Sequence, residues 1–304
     1  MGTPEFSVPS LETLLGAGYT VPAVVTAADK PRGRGQKLSP TAVKSFALSH
    51  GLRVLQPENL RKPTFAREVQ SLHPDLIVVV AFRILPREIF TIPRLGSFNL
   101  HASLLPRYRG AAPINWAIMK GETETGVSTF FLEEVVDTGG VLLQRSVPIA
   151  PEDDAGTLHD RLATVGAAVV LETVRMIEEG RARPVPQNNA LASPAPKLQK
   201  ADCQIDWALP ARDIHNRIRG LSPSPVAFTF HKGRIIRIYR SQVLDALSSG
   251  DHGSVEVSVH SLWVHTGDRL LSILELQQEG KRRMRIDEFL RGYRVATGER
   301  FSSS

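Results

Sequence analysis

Asn99 and His101 stand two residues apart in Phe98-Asn99-Leu100-His101-Ala102-Ser103-Leu104-Leu105-Pro106-Arg107-Tyr108-Arg109-Gly110. In a strand, positions i and i+2 share a face, so an amide and an imidazole would point to one side. Pro106 has no N–H to give to a ladder and breaks the pairing. Two convergent polar groups at a strand end, ahead of an irregular loop, are what acyl transfer needs: one polarises a carbonyl and the other handles a proton. The alternative is a strand edge with a surface histidine. A carboxylate follows in Val135-Val136-Asp137-Thr138-Gly139-Gly140-Val141-Leu142. Asp137 ends an apolar run, a place from which it can orient an imidazole and favour its charged form. Asp-Thr-Gly-Gly is equally a common turn in which Asp bonds its own backbone.

The elements around these residues alternate. Val21–Thr26, Leu52–Leu55 and the apolar run Asp75–Phe82 read as buried strands, and Thr41–His50 has helical spacing ending before Gly51. Strands separated by helical stretches predict βαβ units and a mostly parallel sheet, an α/β domain. Gly126–Leu132 and Gly140–Ile149 read as strands joined near Asp137, and Leu158–Glu179 as a helix stopped by Gly180. Periodicity then disappears: Arg183–Pro196 holds four prolines and two asparagines and reads as a linker. Beyond it come five short strand-like runs, 228–230, 235–239, 254–259, 262–265 and 270–276, with turns such as Ser249-Gly250-Asp251. That spacing predicts a small β-barrel.

With 304 residues, 42% hydrophobic and 22% charged, the chain has the composition of a globular protein of one large or two modest domains. Its apolar runs are too short to span a bilayer, and the opening residues carry no basic stretch of a secretory leader. Cys203 is the single cysteine, which excludes an intrachain disulfide and fits a reducing compartment. No Cys/His cluster has metal-ligand spacing, so no metal is expected. The net charge of +6 fits either a generic basic enzyme or one with an anionic partner such as RNA.

Two basic segments bear on that choice. Arg32, Arg34 and Lys37 lie in Pro31-Arg32-Gly33-Arg34-Gly35-Gln36-Lys37. The loop lacks the third glycine of a dinucleotide fingerprint; it is either a solvated surface loop or a grip for a phosphate backbone. Lys281, Arg282, Arg283 and Arg285 form the second cluster, with the same two readings. Trp116, Trp207 and Trp263 are isolated and read as packing residues rather than base-stacking platforms. No nucleophile elbow, P-loop or metalloprotease motif is present.

Together the motifs resemble the methionyl-tRNA formyltransferases. Gly2-Thr3-Pro4-Glu5-Phe6, the run Asn99–Gly110 continuing into Ala111-Ala112-Pro113-Ile114-Asn115-Trp116-Ala117, and Gly121–Val127 carry the likeness. So do Val136-Asp137-Thr138-Gly139, Ile205-Asp206-Trp207, Ile214-His215, Glu279–Met284 and Phe289–Gly292. The resemblance spans essentially the whole chain. It implies a Rossmann-like formyl-transfer domain over residues 1–182, a linker over 183–199 and an OB-like tRNA-binding domain over 200–304. The implied reaction moves a formyl group from 10-formyltetrahydrofolate to the α-amine of methionyl initiator tRNA, in a cytoplasmic, monomeric enzyme. Asn99, His101 and Asp137 are the implied catalytic residues, Asn99 and His101 stabilising the oxyanion and Asp137 orienting His101. Ser103, Leu104, Leu105 and Pro106, with Phe82, Arg83, Ile84 and Leu85, are the implied folate contacts. Arg32, Arg34, Lys37, Lys200, Lys281, Arg282 and Arg283 are the implied tRNA contacts. A sugar-nucleotide formyltransferase shares the Asn-x-His signature but has no need of the basic loop. A catalytically inactive RNA-binding relative has no need of all three catalytic residues.

The chain departs from the family pattern at Ala81-Phe82-Arg83, at Gly140 and at Val226. Val226 replaces a usual glycine, and a β-branched residue disfavours positive φ, so a differently shaped turn is expected there. The family also carries an apolar strand just before Gly-Thr-Pro-Glu-Phe, whereas this sequence begins at Met1-Gly2. The expectation is that the natural product starts upstream or that this form folds poorly.

Overall fold

The computed structural model describes residues 1–32 and 37–302. They fall into two compact units. The first comprises Met1–Gly110, Thr125–Pro148 and His159–Ala195; the second comprises Ala111–Glu124, Ile149–Leu158 and the chain from Pro196 on.

The first half of the chain contains α1 (Val8–Gly16), β1 (Val24–Val25), β2 (Lys30–Arg32), β3 (Lys37–Ser39), α2 (Ala42–Ser49), β4 (Val54–Leu55), α3 (Pro63–Ser71), β5 (Ile77–Val80), α4 (Arg87–Phe90) and β6 (Ser97–His101). Then come α5 (Pro113–Met119), β7 (Glu124–Phe131), β8 (Val141–Pro148) and α6 (Ala155–Glu178). Local chemistry sets several boundaries. Thr41 caps α2 by accepting the Lys44 N–H at 3.0 Å. Pro63 opens α3, where its missing N–H costs nothing. The β-branched run Ile77-Val78-Val79-Val80 favours a strand.

β1 and β4 pair in parallel, as do β5 and β6. β6 and β7 are antiparallel, and β5-β6-β7-β8 form one sheet. The alternation that predicts a strand is the same for either direction, so only the fold reveals that His101 lies opposite Ser128. The expected strand Asp75–Phe82 is shorter in the structure. It stops at Val80 because Ala81 turns to φ +46°.

Phe98 and Leu100 are buried on one face of β6. Gly166 of α6 lies against that face: a Cβ there would come within 2.7 Å of Leu100 Cδ2. Asn99 and His101 take the opposite face.

Among the described residues, Met1 and Gly2 bridge β1 and β5. Gly2 donates to the Val25 carbonyl at 3.0 Å, Val80 donates to the Met1 carbonyl at 2.9 Å, and the Met1 ammonium donates to the Val78 carbonyl at 2.6 Å. A cavity of about 560 Å³ adjoins this link, lined by residues of β1 and β5 with Leu11, Leu14, Val69 and Val174 among others. Burial lowers the ammonium pKa from 8.0 to about 5.

The second unit adds α7 (Ala211–Leu221), β9 (Ala227–His231), β10 (Arg234–Leu247), β11 (Val255–Val257), β12 (Leu262–His265), β13 (Arg269–Gln278), β14 (Met284–Arg285) and α8 (Ile286–Gly292). Its core holds Ile214, Ile218 and Leu221 of α7 against Ile236, Ile238, Leu271 and Ile273 of the sheet. Trp207 is buried there and donates to Thr229 Oγ1 at 3.0 Å. The sheet runs β11-β12-β13-β10-β9 with β14 beside β13. Where the sequence pattern predicts a barrel, this sheet is an antiparallel, open path. Residues of the C-terminal segment bridge near both its ends, at Phe230–Ser302 and Ser254–Arg300. Val226 adopts φ +80°. A β-branched residue thus sits in the left-handed region, with its side chain buried and its N–H donating to the Leu221 carbonyl at 2.9 Å.

Candidate active site

The C-terminal end of β6 carries Asn99 and His101. Asn99 is half-buried, and its amide makes no hydrogen bond to another described residue. His101 is buried. Its Nε2 lies 2.8 Å from the Tyr108 carbonyl. A carbonyl only accepts, so Nε2 carries the hydrogen, and the neutral ring turns its Nδ1 lone pair the other way.

Asp137 Oδ2 lies 3.9 Å from His101 Nδ1, with both side chains about nine-tenths buried. That separation is beyond a hydrogen bond. The expectation that Asp137 orients the ring therefore needs restating: the hydrogen bond that sets the ring is Tyr108's. Asp137 is positioned to pair with the imidazolium once Nδ1 gains a proton. Its own carboxylate accepts the Gly110 N–H at 2.9 Å, and its backbone is left-handed, φ +58°, a conformation Asp tolerates. Gly139, two residues on, leaves no room for a side chain, since a Cβ there would sit 1.8 Å from the Phe131 carbonyl.

The loop after β6 is tied to the sheet. Ser128 Oγ donates to the Ser103 carbonyl at 2.6 Å and accepts the Leu105 N–H at 3.0 Å. Gln144 reaches both the Leu105 carbonyl at 2.9 Å and Ser128 Oγ at 2.8 Å. Ser103 donates to the Arg107 carbonyl at 2.6 Å. Ser103 and Leu105 are thus buried inside the loop, while Leu104 and Pro106 are half-buried.

On the Phe82–Leu85 segment, Ile84 is 73% exposed, Phe82 half-buried and Leu85 buried. Arg83 bonds the carbonyls of Pro57 and Glu58 at 2.7 and 3.0 Å and lies over the Phe82 ring.

The basic residues are distributed differently. Arg32 and Lys37 are paired positions in the β2–β3 ladder, and Arg34 lies outside the described residues. Lys200 and Lys281 are exposed. Arg282 pairs with Glu288 at 3.1 Å. Arg283 pairs with Glu275 and stacks on Tyr239 at 4.4 Å.

Sequence reasoning missed Ser128, Gln144, Tyr108, Gly110 and Gln187. Tyr108 and Gly110 sit inside the motif that flagged the site. Ser128 and Gln144 lie on strands whose register only the fold supplies. Gln187 lies in the segment expected to be a linker.

Residues 4–174 match the formyl transferase family, and residues 197–294 match the formyl transferase C-terminal domain. The chain is 49% identical to the methionyl-tRNA formyltransferase of Caldanaerobacter subterraneus subsp. tengcongensis over 98% of this chain and 97% of that one. It is 49% identical to the methionyl-tRNA formyltransferase of Chlorobium luteolum over the same shares. A crystal structure of an N-formyltransferase from Helicobacter canadensis with folinic acid and dTDP-3-aminofucose superposes with a TM-score of 0.68, at 21% identity, over 90% of this chain and 97% of that one; at that identity the likeness is one of fold. Full-length identity near one half, over both matched domains, places the chain in the methionyl-tRNA formyltransferase family.

Proposed function

We propose that the chain formylates the α-amine of methionine on initiator tRNA, with 10-formyltetrahydrofolate as donor. The observation that carries this reading is the convergence of Asn99, His101 and Asp137 in a chain that matches curated relatives of that name end to end.

The amine nitrogen attacks the formyl carbon, and the carbonyl oxygen takes up negative charge. The unpartnered Asn99 amide donates to that oxygen, where a preorganised donor has the greatest effect. His101, expected beside Asn99 at the oxyanion, has its Nε2 hydrogen held by the Tyr108 carbonyl; its Nδ1 instead takes the proton the amine sheds, and Asp137 stabilises the imidazolium. The C–N10 bond then breaks and the proton passes to N10, leaving the formamide and tetrahydrofolate. The nucleophile belongs to the substrate, so no acyl-enzyme forms. Phe82 and Ile84 give the donor an apolar rim beyond β5, and the Ser103–Pro106 loop frames the other side.

Arg32, Arg34 and Lys37 grip the tRNA backbone, with Lys200, Lys281, Arg282 and Arg283 of the second unit. Of these, Lys200 and Lys281 are the more available, because Arg282 and Arg283 already face carboxylates. The bridges from residues 300 and 302 to the ends of the second sheet support reading it as OB-like; residues 1–182 and 200–304 are read as the catalytic and tRNA-binding domains joined by 183–199, although the two compact units of the fold divide the chain at other points. No described helix is long and apolar enough to cross a membrane.

Incubation with 10-formyltetrahydrofolate and either methionyl initiator tRNA or an amino-sugar nucleotide tests the reading. Formylation of the tRNA alone is the expected result. Transfer only to the sugar nucleotide would replace this function with that one.

A further inference from the structure

Gln187 stands out because its amide is fully engaged. Its Oε1 accepts from Arg109 Nε at 3.1 Å and Arg109 Nη2 at 2.7 Å. Its Nε2 donates to the Asp137 carbonyl at 2.9 Å and the Gly139 carbonyl at 2.8 Å. The amide's orientation is fixed chemically, since a guanidinium only donates and carbonyls only accept.

These partners belong to the loop that holds the His101 ring and to the turn that faces it. Arg109 lies between Tyr108, whose carbonyl sets the ring, and Gly110, whose N–H holds the Asp137 carboxylate. Asp137 is the left-handed residue of the turn. The segment around Gln187 is itself anchored. Val185 exchanges two backbone hydrogen bonds with Val141, each 2.8 Å. Ser193 accepts the Arg109 N–H through its carbonyl and the Tyr108 N–H through its hydroxyl, both at 2.9 Å. The segment carrying the glutamine is thus tied by its own backbone to both sides that the side chain bridges.

We infer that Gln187 is a positioning residue for formyl transfer: its carboxamide clamps the Arg109 loop to the Asp137 turn and so sets the Asp137 carboxylate against His101. This inference rests on reading Asn99, His101 and Asp137 as the acyl-transfer site. Only an amide satisfies both sides. A carboxylate at 187 would keep Arg109 but face two carbonyls with no donor.

The test is single-turnover and steady-state formylation by Gln187→Ala, Gln187→Glu, Asp137→Ala and the double variant Gln187→Ala/Asp137→Ala. Misplacing a reacting group by about 1 Å can lower rates by roughly a hundredfold. Both Gln187 variants are expected to lose about ten- to a hundredfold in kcat, with KM for tRNA and donor unchanged. Gln187→Glu retains the Arg109 bond and serves if Gln187→Ala fails to fold. In the Asp137→Ala background, removal of Gln187 is expected to change kcat less than twofold, because the carboxylate it positions is gone. An equal loss in both backgrounds would make Gln187 a general structural support and overturn the inference. So would unchanged kcat in a Gln187 variant while Asp137→Ala is inactive. Near-normal activity of Asp137→Ala would instead overturn the site reading, and the inference with it.

Discussion

Strand β5 has two edges, and they are finished differently. On one, four residues pair in register with β6, which is paired in turn with β7. On the other, Met1 and Gly2 link it to β1, beside a cavity of about 560 Å³. The site grows from the first edge. There the surroundings of the site are tied down: the His101 ring by Tyr108, the following loop by Ser128 and Gln144, the Asp137 turn by Gly110 and Gln187. The second edge contributes stability without chemistry, and burial there disfavours the charged form of the Met1 amine. The contrast separates what a fold needs in order to stand from what a site needs in order to be precise.

The largest expected effect lies on the edge linked by Met1 and Gly2. An Ile/Val-rich extension ahead of Met1 that packed into the adjoining cavity would bury about three more aliphatic side chains, on the order of 5–9 kcal/mol gross. It is expected to raise the melting temperature by many degrees and leave kcat within twofold. Equal melting temperatures with and without the extension would erase the contrast between the edges.

A polypeptide beginning at Met1 also carries a pH dependence on that edge. The ammonium pKa falls from 8.0 to about 5 on burial, so the folded state disfavours the protonated amine. Stability is therefore lower below pH 5 and rises as the pH climbs from 5 to 8, by about 4 kcal/mol from this group. Chemical denaturation across that window measures the slope. N-terminal acetylation removes the charge and is expected to flatten it, whereas a slope that survives acetylation belongs to other groups.

On the edge paired with β6, His101→Ala and Asn99→Ala are each expected to lower turnover by about a hundred- to a thousandfold, roughly 2.7–4 kcal/mol, with melting temperatures little changed. The double variant should lose less than the product of the two, since both serve one tetrahedral intermediate. Near-normal single-turnover formylation by either single variant would remove the chemistry from this edge.

The smallest effect concerns the β2–β3 ladder. Replacing Arg32, Arg34 and Lys37 together by alanine is expected to flatten the log–log salt dependence of tRNA binding by about 0.7–0.9 for each phosphate no longer neutralised, with the chemical step unaltered. An unchanged salt slope would make the ladder a solvated surface.

Much of this was legible in the sequence because it is local. The two-residue period of a strand puts Asn99 and His101 on one face whatever the strand pairs with. The motif around them, with Gly2–Phe6 and Val136–Gly139, carries the family. The run Asp75–Phe82, read as a buried strand, is one over Ile77–Val80, and the proline-rich 183–196 is mostly irregular backbone. Other features depend on groups far apart in the chain, and only the tertiary structure decided them. His101 is set by the Tyr108 carbonyl, with Asp137 at 3.9 Å, because the loop folds back onto the ring. Ser128 reaches that loop because β7 runs antiparallel to β6, a direction that hydrophobic alternation does not encode. Arg282 and Arg283 read as free cations until Glu288 and Glu275 are brought beside them. Gln187 sits in a segment with no periodicity, and its four hydrogen bonds go to residues about 50 and 80 positions away, a pairing that exists only once the chain has folded.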